Sequence, residues 1–139
     1  MNTYSIAVKS SHRISGDQSS FVIKFDHFLP YDKTIFKCKV SAIVSETINL
    51  EEVTNIDAAA SPSLVLTADF PFINYRTTSG DLYPIAFVNY NMIYQAHEFL
   101  TSNINQQTIN FRYVDTIGTT ISNDNIGETI LILTFDDVQ

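Results

Sequence analysis

Residues 9–25 read KSSHRISGDQSSFVIKF, a stretch with His12, Arg13 and Asp17 set among Ser10, Ser11 and Ser15. Together these residue types have the chemistry of an anion site, with the serine hydroxyls as added donors. The competing reading is a polar segment between a short extended N terminus, with Tyr4, Ile6 and Val8 in register, and the first core strand. A working site needs surrounding groups to hold it. Nothing elsewhere in the chain supplies an obvious partner, so the second reading is favoured.

The other chemistry-bearing residues are spaced against catalysis. His97-Glu98 begins like the zinc-protease pattern HExxH, but position 101 is Thr and the second ligand is missing. His27 follows Asp26 near a strand end, where a turn or solvent is the expected partner rather than a metal. Cys38 would need light burial and a neighbouring base to act as a nucleophile; its place in a row with Phe36 and Val40 makes it a core residue instead. SNDNIGE, residues 122–128, has the look of a calcium loop. With Gly127 in the glycine position, however, Ile126 falls on a ligand position and no Glu stands at the twelfth. Asp136 and Asp137 are adjacent on a strand, point to opposite faces and cannot share a proton. There is no glycine-rich phosphate loop and no GxSxG elbow. The expectation is a protein without catalytic, metal or cofactor residues.

The elements around these residues follow a period of two. SFVIKFDHF sets Phe21, Ile23 and Phe25 against Val22, Lys24 and Asp26. IFKCKVSAIV sets Phe36, Cys38, Val40, Ala42 and Val44 inward, with Lys37, Lys39 and Ser41 outward. SLVLTADF alternates Leu64, Leu66, Ala68 and Phe70 with Val65, Thr67 and Asp69. TINFRYVD opposes Ile109, Phe111 and Tyr113 to Asn110 and Arg112. GETILILTFDD is apolar on both faces, as a central strand covered on both sides would be. Such alternation marks half-buried strands, and the Val, Ile, Thr, Phe and Tyr that fill them suit a pleated surface. Turn residues separate the runs at Ser15-Gly16-Asp17, Leu29-Pro30-Tyr31-Asp32, Ser79-Gly80-Asp81, Ile117-Gly118 and Ser122 to Gly127. Glu51 to Pro62 reads as a long, mobile loop. NMIYQAHEFL also fits a helical stripe through Met92, Ile93, Ala96, Phe99 and Leu100, so one short helix near 91–101 is allowed.

At 139 residues and 15.7 kDa the chain suits a single domain, one that buries roughly two-thirds of its unfolded surface. A single cysteine excludes an internal disulfide and fits a reducing compartment. Residues after Met1 lack the basic and apolar regions of a secretory signal, and no run is long and apolar enough to span a bilayer. Charge is divided unevenly. Residues 1–40 hold six Lys and Arg against three Asp, net +3, and residues 41–139 hold two Arg against twelve acids, net −10. A chain this acidic is poorly suited to phosphate backbones; the division suits contact between the basic part of one molecule and the acidic part of another.

These strands predict an all-β protein, an antiparallel two-sheet sandwich; a single jelly roll of about eight strands over 19–139, preceded by an extended N-terminal arm over 1–18, suits their number and the length, though strand pattern alone does not separate it from an immunoglobulin-like topology. The immunoglobulin hallmarks are absent, since there is no Trp and no second Cys.

SSHRISGDQSSFVIKF resembles the opening segment of the small single jelly-roll capsid proteins of large icosahedral double-stranded DNA viruses, an arm with a Ser…Arg…Ser-Gly run before an alternating strand. FKCKVSAIV is similar to their second strand, and HEFLTSNI, INFRYVDTIGTTI and ETILILTF to their closing strands. Residues 46–90 match least. The resemblance implies a minor capsid component, either a penton subunit at the fivefold vertices or a cementing piece beneath the major shell. It implies a virion protein assembled inside the infected cell, without enzymatic activity or cofactor. Its partners would be copies of itself, as a homo-oligomer such as a pentamer, or the major capsid protein, with no direct nucleic-acid contact and no membrane insertion.

The candidate interface follows from the charges. Lys37 and Lys39 share one face of a strand, His12 and Arg13 lie in the arm, and Glu51, Glu52, Asp136 and Asp137 are the acidic candidates on a neighbour. The alternative function is a lectin-like sandwich that binds ligand through Tyr75, Tyr83, Tyr90 and Tyr94. A cupin-type metal enzyme is a third reading, which three histidines in the whole chain argue against.

Overall fold

The computed structural model describes residues 2–47, 63–78, 82–89, 94–115, 121 and 126–138. Its strands are β1 (Thr3–Lys9), β2 (Ser15–Gly16), β3 (Ser20–Lys24), β4 (Ile35–Thr47), β5 (Ser63–Ala68), β6 (Phe72–Ile73), β7 (Pro84–Asn89), β8 (Tyr94–Ala96), β9 (Phe99–Ser102), β10 (Thr108–Val114) and β11 (Ile126–Asp137), with one 3-10 turn at Ser10–His12. They form two antiparallel sheets, ordered β1-β11-β4-β9-β6 and β2-β3-β10-β5-β7-β8. Three strands have only two or three residues, β2, β6 and β8. Without them, the other eight, numbered among themselves, run 1-8-3-6 in one sheet and 2-7-4-5 in the other. That is the strand order of a jelly roll, the form of sandwich that the number of strands and the chain length suited.

The inward rows meet in an aromatic core. Phe21 and Phe111 come from one sheet, with Phe25 just beyond β3, and Phe36, Phe99 and Phe135 from the other, and each is at most 4% exposed. Phe70, just beyond β5, touches both sets, with ring centroids 5.3 Å from Phe99, 5.8 Å from Phe111 and 6.5 Å from Phe135. Pairs of this kind contribute about 0.5–1.5 kcal/mol beyond the area they bury. The hydroxyls of Tyr113 on β10 and Thr129 on β11 share a buried 2.7 Å hydrogen bond between the sheets.

Three expectations change in the folded chain. Residues 3–9 pair along their whole length with β11, from Thr3 opposite Asp136 to Lys9 opposite Ile130. The segment expected as an arm therefore supplies an edge strand, a 3-10 turn and the hairpin strand β2, because Tyr4, Ile6 and Val8 have core to pack against. The alternation in β4 also breaks. Leu133 pairs with Val40 and Ile132 with Ala42, so Ser41 is an extra residue in a bulge. Beyond it the faces exchange: Ala42 lies opposite exposed Ile132, and Ile43, opposite buried Leu131, packs against the core. Ala42 is thus not inward, while Val44 falls outside the described side chains.

Finally, β11 buries one face fully and leaves the other partly exposed. Leu131, Leu133 and Phe135 are fully buried, whereas Ile130 and Ile132 are 37% and 38% exposed. Over 94–102 the chain forms strands β8 and β9 rather than a helix, and 91–93 lie outside the described residues. So does the loop expected at 51–62.

Candidate functional site

The polar groups of the opening stretch are turned toward building a corner. Arg13 donates from Nε to the Gly16 carbonyl and from Nη1 to the Ser10 carbonyl, both at 3.1 Å. Asp17 Oδ1 accepts the N–H of Ser19 at 2.9 Å, its hydroxyl at 2.9 Å and the N–H of Ser20 at 3.0 Å. Partial burial works to raise the Asp17 carboxyl, but the Ser19 and Ser20 hydrogen bonds and the charge of Arg13 outweigh it and hold the carboxyl below its ordinary value. Ser10 is fully buried; its hydroxyl donates to Gln18 Oε1 at 2.5 Å and accepts the Thr129 N–H at 2.9 Å. His12 is exposed at the surface. Ser10, Arg13 and Asp17 thus bond to other groups of the chain, and His12 stands apart from these bonds at the surface.

Gly16 makes the corner sterically feasible. Its φ is +91°, and a Cβ there would lie 2.1 Å from the Ser20 carbonyl oxygen. A side chain rarely adopts that φ, and backbone cannot move aside cheaply.

The isolated histidines and the cysteine are accounted for locally. His27 lies 2.8 Å from Gln106 Nε2, with its ring 5.1 Å from that of Tyr31. Cys38 is fully buried; desolvation first, and then the charge of Asp136, push its thiol well above the ordinary range. Among the described residues no three His, Cys, Asp or Glu side chains gather into a metal site. No described helix is long and apolar enough to cross a membrane.

The interface candidates separate into three groups. Lys37 and Lys39 are exposed on the outer face of the β1-β11-β4-β9-β6 sheet, two residues apart before the bulge, as their alternation required. Asp136 sits on the same face of the same molecule, directly across from Lys37 and accepting the Thr3 hydroxyl at 2.6 Å. Asp137 is 4% exposed and accepts the Asn2 N–H at 3.4 Å, so it is not presented to a neighbour. Glu51 and Glu52 lie outside the described residues.

The fold also makes a groove that no short motif announces. Lys37 on β4 and Phe99 on β9 meet Tyr75 and Arg76, which follow β6, and His97 and Glu98, which precede β9. The cavity is about 570 Å³, within the size range of ligand-binding clefts. Asn74, directly after the two residues of β6, lines the groove in the left-handed region at φ +58°; Asn tolerates that conformation better than most residues. Tyr75 is half-buried, with its ring 4.8 Å from His97 and 5.5 Å from Tyr83, and its hydroxyl donates to the Pro84 carbonyl at 2.7 Å. Desolvation, then the neighbouring Tyr83, raises the Tyr75 hydroxyl above its ordinary value. Tyr83 stacks on Phe72 at 4.8 Å. The two tyrosines therefore pack together, while the side chains of Tyr90 and Tyr94 lie outside the description.

Sequence reading missed Arg76 because 39 positions separate it from Lys37. The only local signal is that it is one of two basic residues after position 40. No protein-family model matches the chain, and no curated protein matches it.

Proposed function

We propose that the protein is a structural subunit of an icosahedral viral capsid, a penton or minor capsid component that acts through protein–protein contacts. The observation that carries this reading is the strand order, the eight-strand jelly roll on which capsid shells are commonly built. The exposed Ile130 and Ile132 on a central strand add to it, since an outer sheet face of this kind is suited to cover by a neighbour. The opening stretch spends its polar groups on its own corner and on β11, which also favours a building block over an enzyme. Fold alone does not assign function, so the test is the particle itself. The subunit should be present in purified virions at a copy number matching a symmetry position. Absence from purified particles would sink the proposal.

A lectin-like reading draws on one feature, the open groove with Tyr75 on its wall. Retention of a monomer on immobilised glycans, with no assembly, would favour it.

A further inference from the structure

Tyr31 is 64% exposed, the most exposed large apolar side chain among the described residues. Exposed Asp32 and half-buried Lys33 follow it in the turn. The turn that carries it is held firmly. The Lys33 N–H closes onto the Pro30 carbonyl at 3.4 Å, and Asn103 Nδ2 donates to the carbonyls of Pro30 and Lys33 at 3.0 Å each. Asn105 Oδ1 accepts the N–H groups of Phe28 and Leu29 at 3.2 Å, while its Nδ2 donates to the Leu29 carbonyl at 2.7 Å. A rigid aromatic on a pre-organised turn loses little entropy on docking, and Tyr is among the residues that dominate interfaces.

The groove at the β6–β9 edge offers apolar and basic groups to a turn of this kind. Leu100, Ile73 and Tyr75, all half-buried, offer an apolar wall, and Lys37 and Arg76 set positive charges beside it, against Glu98 in the groove and Asp136 beside Lys37. None of residues 30–33 lines it, so the turn and the groove of one molecule do not occupy each other. We propose that the 30–33 turn of one copy seats in this groove on a second copy, with the Tyr31 ring against Tyr75 and Leu100 and the Asp32 carboxylate facing Arg76 and Lys37. Two different surfaces meet, so the copies join head to tail, an arrangement that closes into a ring when the rotation between copies permits. The inference rests on the capsid-subunit reading and adds to it the contact that joins the subunits.

Sedimentation velocity on the purified full chain tests the contact, with circular dichroism to verify that each variant is folded. The wild type should associate reversibly. Arg76→Glu and Asp32→Arg should each weaken association at least about tenfold, Tyr31→Ala should weaken it without a charge change, and the double variant Arg76→Glu with Asp32→Arg should restore it. The proposal is overturned if the wild type stays monomeric, if the single variants associate like the wild type, or if the exchanged pair remains as weak as its parts. Failure of the exchange in a protein that is present in particles removes this contact alone; absence from particles removes the capsid reading.

Discussion

The buried hydroxyl of Ser10 accepts the backbone N–H of Thr129 at 2.9 Å, joining the first loop to β11 across 119 residues. It lies beside the register shift between Ile126 and Thr129, where the β4 ladder is irregular. Replacing Ser10 by Ala removes that acceptor, together with the donor to Gln18. Loss of a buried partner of this kind costs about 1–3 kcal/mol. Ser11→Ala, which removes only an exposed bond to Glu128, should stay within about 0.5 kcal/mol. Denaturant titration of the two variants checks the contrast, and equal effects would mean that the stitch contributes nothing.

Gly16→Ala places a Cβ 2.1 Å from the Ser20 carbonyl oxygen in a backbone held at φ +91°. Strain of this type is worth about 1–3 kcal/mol, and the clash adds to it. The unfolding midpoint should fall with an unchanged slope. A variant as stable as the wild type would show that the corner relaxes freely.

Asp17 links this corner to acid stability. Its folded value lies below the ordinary 3.8, so the ionised form is the one that favours the fold. Its contribution is complete above the unfolded value and is lost as pH falls through the folded one. Asp17→Asn should therefore lower stability at neutral pH and flatten the decline below about pH 4. Thermal melts of both proteins from neutral to strongly acidic pH measure this; parallel curves would assign the acid sensitivity to other carboxylates.

The bulge at Ser41 makes adjacent residues behave oppositely. Val40 is 1% exposed, whereas Ala42 lies opposite the half-exposed Ile132. Val40→Lys should prevent folding, because an unpaired buried charge costs several kcal/mol or more, and Ala42→Lys should be tolerated. Likewise Leu133→Ala should cost about 2–5 kcal/mol, and Ile132→Ala about 1 kcal/mol or less. Equal sensitivity at Val40 and Ala42 would remove the bulge from the account.

Cys38 should react slowly with a thiol reagent in the native protein and quickly in denaturant. It is fully buried, and its thiol is held protonated by desolvation and by Asp136; only the thiolate attacks. Native labelling should then follow the opening of the sandwich and accelerate as stability is reduced. Rapid labelling at full stability would contradict the burial.

The sequence by itself determined the local part of this structure. Side chains on a strand alternate between faces, so Phe21, Ile23 and Phe25 and then Ile109, Phe111 and Tyr113 could be assigned to the core one residue at a time, and all six are buried. The same alternation placed Cys38 inside and Lys37 and Lys39 outside. Only the tertiary structure decided whatever depends on pairing between distant segments. The pairing with β11 turned residues 3–9 from an expected arm into an edge strand, and one extra residue at Ser41 reversed the faces of Ala42 and Ile43. Arg76 reached the groove beside Lys37 because β6 and β4 both pair with β9, a juxtaposition that no spacing in the chain records. Periodicity follows from the geometry of a single strand, whereas register, bulges and the meeting of remote charges follow from hydrogen bonds between strands.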